Sequence, residues 1–393
     1  MLRICTIALK LCSPPWRQTV KASLCPIRHS PHLRHEEQKS KPHMNIKPIQ
    51  SQLKKQRIDS ALFIVQETSI PSFTYITQLP HLTYAALLIK QSGKPILFVS
   101  SLDYGGIKST HLTIELLKKP LREHLKAHCQ NVKTLGIEFT TTTYALVKRI
   151  KKIFPNTTLK DTTNLFETTR TTKTEAELNN LETAASIANH AFNNMIKNFN
   201  YKTESDLKIA LESEFLKHNV TPSFPTIVAS GKNAATPHHK TSTASLTRGF
   251  CVIDFGVIYN GYCSDCTRTI FIGKPTKQEV ALYNLVRKAQ ESALKQVKIG
   301  IKTTDLDAIA RKVLGHYEKH FSHSLGHGIG IEVHESPSVS KKSKDVLKSG
   351  MVITIEPGYY HKNIGIRIED TVIVQKNPKV ITTISKELMS FDV

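Results

Sequence analysis

Between Lys173 and Val374 the chain writes the same order of elements twice: a capped helix, a second helix, then a run of strands. Thr174-Glu175-Ala176-Glu177 has the form of a capping box, in which a Thr hydroxyl and a Glu carboxylate three residues on satisfy N–H groups at a helix start. Leu178, Leu181, Ala185, Ala188, Phe192, Met195 and Phe199 follow at spacings of three and four, which is one face of a helix. Glu204 to His218 predicts a second helix, and strands are expected from Thr226 to Ile272. Thr276-Lys277-Gln278-Glu279 then repeats the box and opens a helix to about Val297. Asp305 to Lys319 predicts the next helix, and strands are expected from Ser324 to Val374. Two helix–helix–strands units imply a pseudo-twofold α+β domain with a site between its halves.

Ahead of this repeat the pattern differs. From Ile58 to about Phe166, strand-like and helix-like runs alternate. Ala61 to Val65 is apolar and β-prone. Tyr84 to Lys90 and Pro95 to Val99 flank a Gln91-Ser92-Gly93-Lys94 turn and predict a hairpin. Leu112 to His128 reads as helix, Thr134 to Ile137 as strand, Tyr144 to Phe154 as helix, and Asn164 to Thr172 as a strand leading out. That is a smaller α/β layer domain without a catalytic cluster. The expected division is residues 1–43, an extension; 44–170, the α/β domain; and 171–393, the domain with the repeat.

The first 43 residues hold eight Lys/Arg, two acids, and many Pro, His and Ser. Organelle transit peptides have this composition. The favoured alternative is an upstream extension with Met44 as the working start, because hydrophobic periodicity begins only after Met44. The corresponding expectation is a cytoplasmic protein, with organelle targeting as the alternative. The seven cysteines include Cys5, Cys12 and Cys25 near the start and are otherwise scattered, which does not make a disulfide framework. A formal net charge of +22 admits a nucleic-acid binder, but the basic residues form no block and no nucleic-acid fold signature occurs. No run approaches the ~18 apolar residues of a membrane span. Neither nucleic acid nor membrane is therefore expected as a partner.

Chemistry concentrates in five short segments. Val252-Ile253-Asp254-Phe255-Gly256 and Cys263-Ser264-Asp265-Cys266-Thr267 lie on predicted strands Cys251 to Ile258 and Tyr262 to Ile272, joined by an Asn260-Gly261 turn. An ionised Asp254 among apolar residues is costly unless paired or metal-bound. Antiparallel pairing could bring Asp254 and Asp265 onto one face. Ser322-His323-Ser324-Leu325-Gly326-His327-Gly328 surrounds His327 with small residues that permit close backbone approach. Glu356 ends the β-prone run Met351 to Ile355. In Gly365-Ile366-Arg367-Ile368-Glu369-Asp370, alternation puts Arg367 and Glu369 on one strand face.

Four carboxylates and one imidazole form a mostly oxygen donor set, suited to a pair of divalent cations, Mn²⁺ above all, with Co²⁺ or Zn²⁺ possible, and not to a thiolate zinc site. Their four negative charges balance two such ions. A water shared by two cations ~3.5–4 Å apart ionises near neutral pH and becomes a nucleophile for an amide carbonyl. Cys263 and Cys266 have CxxC spacing, but there is no second pair and Asp265 lies between them, so zinc or redox use is not expected.

On these residues the segment from about Lys173 to Val374 resembles the pita-bread metallopeptidases, specifically their Xaa-Pro aminopeptidase and prolidase branch. Val228-Ala229-Ser230-Gly231, Pro237-His238 and Gly365-Ile366-Arg367-Ile368-Glu369-Asp370 carry the branch assignment. The N-terminal half resembles that branch's extra domain in length and strand order. The resemblance implies Asp254, Asp265, His327, Glu356 and Glu369 as metal ligands, with Asp265 and Glu369 bridging. It also implies Glu356 as the proton shuttle, His334 as the group stabilising the tetrahedral intermediate, and His238, His323 and Arg367 in the substrate pocket. The implied reaction is hydrolysis of the N-terminal Xaa-Pro bond by an aminopeptidase, alternatively by an Xaa-Pro dipeptidase, in a homodimer; a non-catalytic binding protein of the same fold is disfavoured because all five ligand positions are filled. Lys240-Thr241, Ser324 and Tyr360-His361-Lys362-Asn363 depart from the usual pattern.

Overall fold

In a computed structural model of the chain, the described residues are 46–67, 70–79, 82–197 and 199–392. The expectations for residues 1–43, with Cys5, Cys12 and Cys25, and for Met44 lie outside the described residues.

The first domain is a mixed sheet of six strands between two helical layers. Its order is Thr113–Leu116, Ile96–Val99, Tyr84–Lys90, Ser60–Gln66, Thr134–Ile137 and Thr158–Asp161. Tyr84–Lys90 runs antiparallel to both neighbours, and the remaining pairs are parallel. The hairpin around Gly93 forms as predicted, with Leu88 opposite Ile96. Both faces of the sheet are buried. One packs Ile49 and Leu53 of the helix Lys47–Lys55, and the other packs Leu121, Leu125 and Ile150.

Two expectations for this domain are corrected. Residues 112–128 are not one helix. Thr113–Leu116 adds a parallel strand beside Ile96–Val99, and a helix starts only at Leu121. Pro120 divides them, since the residue before a proline avoids helical backbone. The run 164–172 is not a strand but lies in the helix Thr163–Thr171. Its threonines favour strands in isolation. Here Asp161 Oδ1 accepts from the Thr163 N–H at 2.9 Å, and Phe166 packs edge-on to Phe63 at 4.8 Å, so tertiary contact overrides propensity.

The second domain shows the predicted duplication. Helices Glu175–Lys197 and Glu204–Lys217 back a sheet ordered Ser390–Phe391, Cys266–Ile272, Gly249–Phe255, Ile227–Ser230. Helices Lys277–Leu294 and Thr303–Leu314 back a second sheet ordered Glu335–Val339, Gly326–Gly328, Val352–Ile355, Asp370–Ile373, Lys379–Val380. The Thr276 box is complete, whereas at Thr174 only Glu177 plays its part, accepting the Thr174 N–H at 2.8 Å. The predicted helix 305–319 stops at Leu314 because Gly315 takes φ 58° and a 3₁₀ segment, Gly315–His320, follows.

Each helix pair buries its apolar face against its own sheet. Phe192 stacks on Phe255 at 5.3 Å in one half, and Val286, Ala289 and Leu306 cover Ile353 and Ile355 in the other. The sheets meet where residues 367–371 run beside 265–269. The Glu369 N–H donates to Thr267 O at 3.1 Å and Thr371 Oγ1 to Asp265 O at 2.8 Å. Fully buried Arg268 locks this seam, donating to Asp370 Oδ1 at 2.7 Å, to Ile384 O at 2.8 Å, and to the Glu369 carbonyl.

Candidate metal centre

Each half contributes two acids at equivalent places beside the seam. Asp254 sits near the end of Gly249–Phe255, and Glu356 directly follows Val352–Ile355. Asp265 lies one residue before Cys266–Ile272, and Glu369 one residue before Asp370–Ile373. The predicted strands 251–258 and 262–272 are thus interrupted, at Gly256 and at Ser264-Asp265. The Val257 N–H donates to Ser264 Oγ, and the Ser264 carbonyl occupies the space a Cβ at Gly256 would need, so only glycine fits there. Asp254 pairs opposite Thr267, two residues beyond Asp265, which leaves both acids facing one space as expected. Arg367 and Glu369 also turn to that space.

His327 enters from Gly326–Gly328, at a register shift in its pairing with Glu335–Val339. Its Nδ1 lies 3.1 Å from Gly328 O and must donate, since a carbonyl only accepts. Nε2 then carries the lone pair, 3.2 Å from Glu356 Oε1 and 3.6 Å from Asp265 Oδ2. Donor atoms of Asp265, His327 and Glu369 all lie within 4.8 Å of one another.

The polar partners of the acids are one-sided. Arg367 Nη2 donates to Asp254 Oδ2 at 2.6 Å, and Thr267 Oγ1 donates to Glu369 Oε2 at 2.8 Å. Asp254 Oδ1 and Glu369 Oε1 are buried and have no hydrogen-bond partner. Buried acceptors in a native fold are normally satisfied. Two orphaned carboxylate oxygens beside an imidazole lone pair fit divalent cations, so Asp254, Asp265, His327, Glu356 and Glu369 could hold them. The electrostatics agree. Burial, then repulsion from neighbouring acids, pushes Asp265 and Glu369 well above the usual carboxylate range. Burial also raises Asp254, against the pull of Arg367. For Glu356 burial is outweighed when the His327 ring is protonated: its hydrogen bond and charge hold the carboxyl down at about 2, whereas in the neutral ring the same Nε2 is a free lone pair.

The pocket residues lie around this centre. His323 Nδ1 donates to Ser324 O at 2.8 Å, and its Nε2 is 2.9 Å from Tyr360 Oη. Arg367 Nη1 donates to the same Tyr360 oxygen at 2.9 Å and reaches Pro237 O at 3.3 Å. Burial lowers His323, against Glu356, which favours the neutral ring that accepts the Tyr360 proton. The His334 ring centroid is 4.3 Å from that of His327, and burial followed by the His327 charge lowers its pKa. His238 is exposed, three residues beyond the 3₁₀ segment Gly231–Ala235. Its neighbour His239 turns away to Glu204, 2.9 Å distant.

Tyr360 and the threonines 267 and 354 are polar partners of the site not singled out in the sequence. Thr354 Oγ1 accepts the His327 N–H at 3.1 Å and donates to Glu356 Oε1 at 3.2 Å. For Thr267 and Thr354 the available signal was their alternation with Asp265 and Glu356. Tyr360 gave none, as it lies in the segment that departs from the family pattern. Cys263 and Cys266 lie in different apolar clusters. Cys263 does reach the neighbouring loop, donating to Ile331 O at 3.3 Å.

This donor set, placed at the seam of a duplicated α+β domain, defines a metal-dependent hydrolase of the pita-bread class. The chain belongs to metallopeptidase family M24: that family's pattern matches residues 179–376, and the creatinase/prolidase N-terminal domain matches residues 46–172. The Xaa-Pro dipeptidase of Pyrococcus horikoshii is 36 % identical over 353 residues, covering 88 % of this chain and 98 % of that one. The solved Xaa-Pro dipeptidase from Bacillus anthracis is 31 % identical with a TM-score of 0.82, covering 88 % and 99 %. The X-Pro aminopeptidase structure from Thermotoga maritima is 30 % identical with a TM-score of 0.80, covering 86 % and 100 %. Metal dependence comes with the family. Among the described residues no helix is long and apolar enough to cross a membrane.

Proposed function

We propose that the chain is a two-metal peptidase that cleaves the peptide bond preceding proline. The observation that carries this reading is the pair of buried, partnerless oxygens, Asp254 Oδ1 and Glu369 Oε1, beside the Nε2 lone pair of His327. Asp254, Asp265, His327, Glu356 and Glu369 would hold the ions, Mn²⁺ ahead of Co²⁺ or Zn²⁺. When bound, such a pair supplies Lewis-acid polarisation of the scissile carbonyl and a water acidic enough to attack at neutral pH.

The chain's own residues do the rest. Glu356, ionised at neutral pH, takes the proton of the attacking water and hands it to the leaving nitrogen. His334, kept neutral, donates its N–H to the developing oxyanion. Arg367 fixes one oxygen of Asp254 and, through Tyr360, the ring of His323. His238 meets the substrate from its exposed loop.

Substrate length separates two readings. The sequence pointed first to an aminopeptidase acting on longer peptides. The Pyrococcus horikoshii relative and the Bacillus anthracis structure are both named Xaa-Pro dipeptidase, which favours dipeptides. The likeness to an X-Pro aminopeptidase supports the longer substrate as the second reading. Rates on Xaa-Pro and Xaa-Pro-Yaa, measured on one Mn²⁺-loaded preparation, decide between them. Cleavage of Xaa-Ala peptides at the same rate as Xaa-Pro would remove the proline assignment altogether.

A further inference from the structure

The connector between the two domains reaches the loop that carries His334. Arg170, near the end of the helix Thr163–Thr171, and Lys173, just beyond it, have side chains only 4 % and 1 % exposed. Both reach residues 332–335. Arg170 Nη2 donates to Glu332 Oε2 at 2.6 Å, and Lys173 Nζ donates to Glu335 Oε1 at 2.6 Å. Arg170 Nη1 faces Glu335 Oε2 at 3.6 Å, and each of these buried atoms lacks a hydrogen-bond partner. The Glu335 carboxylate fills the space that a Cβ at Gly330 would occupy, so a larger residue there would expel it. The start of the loop is held too, by the Cys263 N–H donating to Gly330 O at 2.8 Å.

A buried charge cluster is a poor device for stability alone, because apolar packing of the same volume serves as well or better. What it adds is fixed geometry. Glu335 is one peptide link from His334, whose ring lies 4.3 Å from that of His327. We infer that Arg170 and Lys173 are positioning residues for His334: by clamping Glu335 they hold that imidazole over the metal centre. The N-terminal domain thereby contributes to turnover through the segment that ends it. The inference rests on the peptidase reading above.

The test uses the full chain loaded with Mn²⁺. The double variant Lys173→Met/Glu335→Gln removes one charge of each sign and leaves the Arg170–Glu332 pair in place. Its kcat on Xaa-Pro peptides should fall by about 10²-fold, the cost of a small misplacement of a catalytic group. KM and Mn²⁺ content should stay near the parent's, and amide hydrogen exchange across residues 330–335 should quicken. Lys173→Arg should keep most of the parental kcat. Arg170→Lys, which preserves charge but loses the guanidinium fork, carries the same expectation at smaller size, so a double variant that does not fold leaves the test intact. Parental kcat in the double variant, or in Arg170→Lys if that is the one that folds, overturns the inference. If the parent itself cleaves no Xaa-Pro bond, the reading of the site fails, and exchange alone decides the clamp: faster exchange supports it and unchanged exchange overturns it.

Discussion

Arg367 Nη2 donates to Asp254 Oδ2 at 2.6 Å and leaves Asp254 Oδ1 buried with no donor. The same guanidinium donates from Nε to Thr267 Oγ1 at 3.1 Å, and that hydroxyl donates to Glu369 Oε2. One arginine thus orients an acid from each half of the duplicated domain, fixing one oxygen of each and turning the other inward. Partners of this kind commonly set metal affinity by about 10–100-fold. Arg367→Met should therefore weaken Mn²⁺ binding by about that factor, measured by titrating the chelated chain. Unchanged affinity would show that the arginine serves only to neutralise charge.

His334→Ala should cut kcat by ~10²–10³ with both ions still bound and KM little changed. A hydrogen bond to the oxyanion strengthens only as the transition state forms. A histidine that merely packs would give a lower melting temperature and undiminished turnover per folded molecule. Metal content, melting temperature and kcat measured on one preparation distinguish the two.

Glu204 organises the loop that carries His238. Its fully buried carboxylate accepts from the Ser230 N–H and from Asn233, each at 2.9 Å, from Ser242, and faces His239 Nε2 at 2.9 Å. Burial alone would raise its pKa, but these hydrogen bonds hold it below the ordinary 4.5. A pKa depressed in the folded state gives stability that is present above the unfolded value and lost as pH falls through the folded one. The melting-temperature advantage of the parent over Glu204→Gln should hold down to about pH 5 and shrink below about pH 4. A His239→Gln background isolates the contribution of Glu204. An advantage that persists undiminished at about pH 3 would contradict the assignment.

Arg268 and Asp370 form a pair of side chains each 1 % exposed at the seam between the sheets. Asp370 also holds Lys386 at 2.7 Å, so it is removal of Asp370 that strands a buried charge, that of Arg268, at ~3–5 kcal/mol. Asp370→Asn should destabilise by that order in urea unfolding, whereas a surface pair such as Lys379–Glu182 should give about 0–1 kcal/mol.

That the four acids would gather at one place was legible because a carboxylate on an apolar strand has few inexpensive explanations, and the duplicated capping boxes marked the two halves. The strand Thr113–Leu116 was not, because its partner Ile96–Val99 rather than its own sequence decides its state. The helix Thr163–Thr171 was hidden by threonines whose local preference is overruled by packing. Arg170 and Lys173 carry no local signal, since the carboxylates they pair with lie 162 residues further along. Tyr360 was missed for a similar reason, its partners His323 and Arg367 coming from two different segments.

The most direct test of the two-metal account is a titration of Mn²⁺ into the chelated chain, with bound metal and release of proline from Xaa-Pro followed together. Activity should be absent without metal, rise with occupancy, and level off as two equivalents per chain are bound. Asp254→Ala and His327→Ala should shift the whole curve to higher Mn²⁺. Full activity without bound metal, or two bound equivalents with no release of proline, would contradict it.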